Sequence, residues 1–226
     1  MSGSKRIALY GGTFDPVHTG HIAVADGLSK LFALDLVLFI PAYVAPHKRV
    51  RAVTPALHRY AMLALATQDE DSFRISTVEL DAPERPFTFE TLTQMRKSMG
   101  QDAQLFFVMG ADSWMEITTW REWERVLALS NHIVITRPGY EVGAEHVTPG
   151  IRERIVDLRG MDKEQAAQKI DESDGAKIYV TDAVNIDISA TGVRQAVRAG
   201  RDSDWTRRVQ PAVANYIRKY GLYKEA

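Results

Sequence analysis

Two histidines three residues apart, His18 and His21, stand just after a glycine pair, Gly11 and Gly12, in the stretch 9–21, Leu-Tyr-Gly-Gly-Thr-Phe-Asp-Pro-Val-His-Thr-Gly-His. Glycines let a backbone approach a ligand closely. A helix N-terminus offers unpaired N–H groups and partial positive charge, so this spacing suits a phosphate. Histidines at i and i+3 on a starting helix share a face, and their imidazoles can bond a phosphate chain and stabilise the charge that builds during nucleotidyl transfer. A metal site would need a third His or a carboxylate in reach, and no His-x-x-x-Glu-His arrangement accompanies the pair.

A second phosphate candidate lies near the other end of the chain, in Ile188-Ser189-Ala190-Thr191-Gly192-Val193-Arg194. Ser189 is a good N-cap, Thr191 falls in the first turn, and Arg194 lies on the neighbouring face. Hydroxyls, amides and a guanidinium can therefore converge on one anion. A basic loop, 46–51, offers Lys48 among its cations, although most charge runs are solvated turns. Gly110 and Asp112 repeat the pattern of strand, glycine and acid on a different strand. Trp114, Trp120 and Trp123 cluster nearby; tryptophans are core residues by default, yet a flat aromatic ligand would stack on one of them while Asp112 accepts ribose hydroxyls.

These groups need elements to position them. Apolar runs at 7–10, 34–40, 73–80, 105–109, 132–136 and 177–181 read as strands. Helical patterns fall at 21–32, 55–67, 88–99, parts of 114–129, 189–199 and 211–220, with further helix expected at 151–158 and 163–170. The alternation is that of an α/β protein with a doubly wound, mainly parallel sheet, in which ligands bind at the C-terminal strand ends. All four candidate groups sit at such ends. No Gly-, Pro- or Ser-rich linker interrupts the chain, so one domain over 1–226 is expected, with an insertion near 143–175 and a helical C-terminal part over 189–226.

The 226 residues carry 28 basic and 29 acidic side chains, for a net charge of −1. No global field draws the protein to nucleic acid or an anionic membrane, so any anion site must be local. There is no cysteine, which excludes disulfides, thiolate nucleophiles and Cys-ligated zinc and suits a reducing compartment. The first residues lack the apolar stretch of a signal peptide, and the expectation is a soluble, cytoplasmic protein.

Taken together, 11–21 and 188–194 resemble the paired signature of the nucleotidyltransferases with a His-x-Gly-His motif, and specifically the bacterial nicotinate-nucleotide adenylyltransferase family. Pro46-His47-Lys48, the segment Pro-Phe-Thr-Phe-Glu-Thr-Leu at 86–92, Gly110-Ala111-Asp112-Ser113 and Thr119-Trp120-Arg121-Glu122-Trp123 occur in that family's order. The resemblance implies a Rossmann-like, three-layer α/β/α nucleotidyltransferase fold. It implies adenylyl transfer from ATP to nicotinate mononucleotide, with magnesium carried by ATP rather than by a protein metal site. By similarity, His18, His21 and Arg194 are the catalytic residues, with Gly11, Gly12, Thr13, Phe14, Asp112, Ile188, Ser189 and Thr191 completing the ATP site. Trp120 would stack on the pyridine ring, and Thr88 and the Arg121 backbone would receive its carboxylate. Gly110 and Asp112 would border the ribose, while Lys48 and Arg137 would assist with phosphates. Phe87 stands where the family often has tyrosine. The alternatives are an enzyme preferring the amide nucleotide and a nucleotide-binding regulator without turnover; a homo-oligomer is compatible with either.

Overall fold

The computed structural model describes residues 4–43, 53–82, 84, 86–136, 142–173, 175–184 and 188–224. Seven strands form one sheet: β1 (Arg6–Gly12), β2 (Leu36–Pro41), β3 (Phe73–Ile75), β4 (Gln104–Gly110), β5 (Asn131–Ile135), β6 (Ile155–Asp157) and β7 (Ile178–Thr181). Their order is β3-β2-β1-β4-β5-β7-β6. The pairs β1–β4, β4–β5, β5–β7 and β7–β6 are parallel. This is the doubly wound sheet expected from the alternation of strand and helix patterns. Chain order reverses between β1 and β4, the place where such sheets bind ligands. Tyr10 pairs with Val108 there, just before the glycines that end the two strands.

Central strands read as continuous apolar runs because helices cover both faces. In β4, Leu105, Phe106, Phe107, Val108 and Met109 are all buried, each contributing roughly 2 kcal/mol through removal of apolar surface from water. The helices are α1 (Thr19–Phe32), α2 (Ala56–Thr67), α3 (Thr88–Met99), α4 (Ala111–Met115), α5 (Trp123–Leu129), α6 (Pro149–Arg152), α7 (Lys163–Asp171), α8 (Ala190–Arg198), α9 (Asp202–Thr206) and α10 (Pro211–Tyr220).

Three expectations need correction. The strand read over 73–80 stops at Ile75: the Val78 amide donates to Ser76 Oγ and Asp81 N–H to the Thr77 carbonyl, which turns the chain out of the pleat. The helix read over 151–158 breaks after Arg152, and β-branched Ile155 and Val156 join β7 as the outermost strand. Helix α1 begins at Thr19, so His18 precedes it. The His18 carbonyl accepts from the amides of His21 and Ile22, which makes His18 the cap rather than a first-turn residue. Helix α9, five residues with no apolar stripe, has no periodic signal to read.

The chain forms two compact units. One comprises Met1–Gly11, Gly27–Leu38 and Pro86–Asn185; the other comprises Gly12–Asp26, Phe39–Arg85 and Ile186–Ala226.

Candidate active site

The second unit holds both phosphate candidates. Beyond Gly12 the chain turns sharply, with Phe14 in the left-handed region at φ 49°. A Cβ on Gly12 would stand 2.8 Å from the Phe14 ring, so the tight turn requires glycine. Phe14 is buried and packs edge-on against Phe39 and His21. The imidazoles of His18 and His21 stack with ring centres 3.6 Å apart. The main-chain N–H of His18 donates to His21 Nδ1 at 3.1 Å. A nitrogen that accepts carries no proton, so the neutral His21 ring bears its hydrogen on Nε2 and presents a donor there.

Helix α8 is capped as its sequence indicates, Ser189 Oγ accepting from the Gly192 amide at 3.1 Å. Ile188 sits half-buried just before the cap. Arg194 Nη2 donates to Thr191 Oγ1, and its Nη1 donates to the Asp15 carbonyl at 2.5 Å. That last bond ties α8 to the glycine turn, which brings the two signatures into one site.

Four residues that build this site were not singled out from the sequence. Arg59 on α2 is fully buried, and its guanidinium donates to the carbonyls of Thr13, Tyr43 and Thr54. Burial lowers its pKa, opposed chiefly by the Asp15 charge. Asp15 is itself buried, its carboxylate accepting from the Tyr223 hydroxyl at 2.7 Å and the Thr54 amide at 3.2 Å. The Tyr223 pKa is raised, first by burial and then by the Asp15 charge, so the hydroxyl stays a donor. Arg208 accepts at its carbonyl from the Thr19 amide and hydroxyl, and its guanidinium lies beside Gly192, where an added Cβ would stand 3.2 Å from Nη1. One signal was readable: Arg59 shares the buried stripe of α2 with Met62, Leu63 and Ala66, where a charge needs a dedicated partner.

The first unit holds the aromatic and acidic candidates. Gly11 lies on β1 with the Phe107 ring 3.6 Å from where its Cβ would be. Gly110 caps α4, and Asp112 folds back over it, its Oδ1 accepting from the Ser113 amide at 2.9 Å. Of the three tryptophans, Trp123 opens α5 half-buried, and the other two differ from each other. Trp114 is fully buried and donates to the Gly143 carbonyl, whereas Trp120 is half-buried and stands edge-on to Phe107. Thr88 opens α3, whose preceding amide, that of Phe87, is taken by Glu90. The Arg121 guanidinium lies 4.7 Å over the Phe87 ring. Glu122 is left-handed at φ 52° and pairs with Arg125. Lys48 and Arg137, the two remaining candidates, lie outside the described residues.

Residues 9–196, which include the glycine turn and the His-x-Gly-His cap, match the cytidylyltransferase-like family model, which places the chain in the nucleotidyltransferase class. Curated relatives narrow the class. A probable nicotinate-nucleotide adenylyltransferase of Thermoanaerobacter sp. is 35% identical over 100% of this chain and 97% of its own length, and one of Desulfatibacillum aliphaticivorans is 34% identical over 96% and 99%. The chain belongs to the nicotinate-nucleotide adenylyltransferase family. The fold agrees with that of the Plasmodium falciparum nicotinic acid mononucleotide adenylyltransferase complexed with NaAD, at a TM-score of 0.69, 22% identity and 97% coverage of both chains.

Proposed function

We propose that this chain transfers the adenylyl group of ATP to nicotinate mononucleotide, giving deamido-NAD and pyrophosphate in NAD biosynthesis. The observation that carries the reading is the stacked imidazole pair, in which His21 Nδ1 accepts from the His18 amide and the ring's hydrogen is therefore on Nε2. An oxygen of the mononucleotide phosphate bonds to the α-phosphorus of ATP as the bond to the bridging oxygen of pyrophosphate breaks. Negative charge grows on the α-phosphate oxygens and the leaving group. Fixed donors aimed there lower the barrier, and no protein nucleophile is needed.

His18, His21 and Arg194 supply those donors. The backbone from Gly11 to Phe14 and the first turn of α8, with Ile188, Ser189 and Thr191, hold the triphosphate. Asp112 accepts ribose hydroxyls, and Gly110 leaves room beside it. Trp120 stacks on the pyridine, Thr88 and the Arg121 amide take its carboxylate, and Lys48 and Arg137 support phosphates. In this reading magnesium would be carried by ATP rather than by a protein metal site. We read the whole chain as one nucleotidyltransferase domain, with 143–175 as an insertion, acting in the cytoplasm.

Pyrophosphate release from ATP is the test, measured in parallel with nicotinate and nicotinamide mononucleotide. Release with the acid form is expected. A preference for the amide overturns the substrate, and ATP binding without release makes the protein a nucleotide-binding regulator.

A further inference from the structure

The chain reaches back from its last helix to grip the phosphate turn. Helix α10 stops at Gly221, left-handed at φ 61°, with the Leu222 amide closing onto the Ile217 carbonyl. Tyr223, two residues on, is also left-handed, at φ 66°. A bulky aromatic residue adopts that conformation rarely, and it persists only where surrounding contacts hold it. The contact that holds it is a hydrogen bond: the Tyr223 hydroxyl donates to Asp15 Oδ1 at 2.7 Å.

Asp15 is thereby held at both ends. The residue is 6% exposed; its carboxylate accepts from Tyr223 and from the Thr54 amide, and the buried Arg59 cation attracts it. Its main-chain carbonyl accepts from Arg194 Nη1. Two residues earlier, Arg59 takes the Thr13 carbonyl. Rotation of residue 15 would move the carbonyl that orients the Arg194 guanidinium.

We propose that Tyr223 is a positioning residue for the transfer reaction, setting the Arg194 guanidinium through Asp15. Its hydroxyl touches no substrate. It fixes the side chain of Asp15, which fixes the peptide whose carbonyl aims the guanidinium at the phosphates. The proposal rests on the adenylyl-transfer reading for Arg194's role, and on the described hydrogen bonds for the link itself.

A double-mutant cycle tests it, on the full-length protein. Tyr223→Phe removes one hydroxyl and should lower kcat about tenfold while KM for nicotinate mononucleotide stays within about twofold. In an Arg194→Ala background the same change should cost nothing further, because its route to the phosphates is gone. A merely structural role would give the same loss in both backgrounds, and that result, or an unchanged kcat in the single variant, overturns the proposal. Affinity for inorganic tripolyphosphate, measured by calorimetry on the same four proteins, gives the same cycle without turnover. If the parent protein transfers nothing yet the tripolyphosphate cycle is non-additive, the reaction is misassigned and the link stands; additive losses reject the link whatever the activity. Should Tyr223→Phe fail to fold, Asp15→Asn in the same cycle decides by the same criterion.

Discussion

The phosphate turn and the Trp120 segment are built by opposite means. Residues 13–15 are held from below by side chains far away in sequence, Arg59 with no exposed surface and Tyr223 from the end of the chain, each bonding a specific backbone or carboxylate atom. The segment 119–125 is held on the surface. Trp120 leans on Phe107, Arg121 lies over Phe87, and the left-handed Glu122 is steadied by an exposed pair with Arg125. Exposed pairs of that kind contribute about 0.2–1 kcal/mol. Breaking a buried charge network by removing one partner costs several times more. Under the proposed function the difference would match two tasks: charge stabilisation at phosphorus demands fixed donors, while recognition of a flat ring tolerates a surface that can be changed cheaply.

The largest effect should fall on the buried side. His21→Ala removes the Nε2 donor and is expected to lower kcat by about two orders of magnitude or more. The Michaelis constant for nicotinate mononucleotide should hardly move; a near-normal kcat would remove the distinction between the two regions.

Acid should expose the other side of the comparison. Behind Trp120 lies Phe107, and edge-on to Phe107 lies His132, fully buried in β5. Burial takes its pKa down to about 3, with the Arg154 charge adding to the fall and the Ser130 backbone opposing it. The native ring is therefore neutral while the unfolded one binds a proton below its ordinary value of 6.5. Stability from this group is complete above pH 6.5 and falls as pH drops towards 3, by about 1.4 kcal/mol per unit, or about 2 kcal/mol by pH 5. Urea melts of the parent and His132→Gln should show that slope in the parent alone, whatever the variant's absolute stability. Parallel slopes would mean that other groups govern acid sensitivity.

How far the sequence revealed these features depends on how local their causes are. The glycine turn, the cap at Ser189 and the end of α10 at Gly221 are set by residues within a few positions of one another, and they were readable. The doubly wound, mainly parallel sheet followed from the alternation of strand and helix patterns, whereas the order of its strands is supplied by the structure. What was not readable is what joins distant segments. Asp15 and Tyr223 are 208 positions apart, and nothing in either one's neighbourhood announces the other. Arg59 left a trace, as a charge on an apolar stripe, but a stripe does not say which carbonyls it will meet. The segment 151–158 reads as helix from its sequence because short β-branched runs serve an edge strand as readily as a helix end, and the decision lies with the β7 edge. His18 was placed in the helix because i, i+3 spacing does not distinguish a cap from a first turn.

The acceptor side should answer to smaller changes. Trp120→Ala removes a stacking face, a loss of about 1 kcal/mol, and should raise the Michaelis constant for nicotinate mononucleotide roughly five- to tenfold with kcat little altered. A fall in kcat of the same size would mean that Trp120 also positions the attacking phosphate.

Arg121 should give the smallest and most selective effect. Its amide is assigned to the pyridine carboxylate, and its guanidinium, resting on Phe87 beside the first turn of α3, adds a cation near the same place. An exposed cation attracts a carboxylate by at most about 1 kcal/mol and a neutral carboxamide by almost nothing. Arg121→Gln keeps the backbone amide and a side chain of similar reach. It should therefore lower kcat/KM for the acid nucleotide about threefold to fivefold, leave the amide nucleotide unchanged, and lose its effect in high salt as screening removes the charge term. Equal losses for both nucleotides would place Arg121 with the packing of the segment. An undiminished preference for the acid would leave discrimination to Thr88 and the Arg121 amide alone, fixed donors of the kind that serve the phosphate turn, and the contrast between the two regions would then be one of burial and not of chemistry.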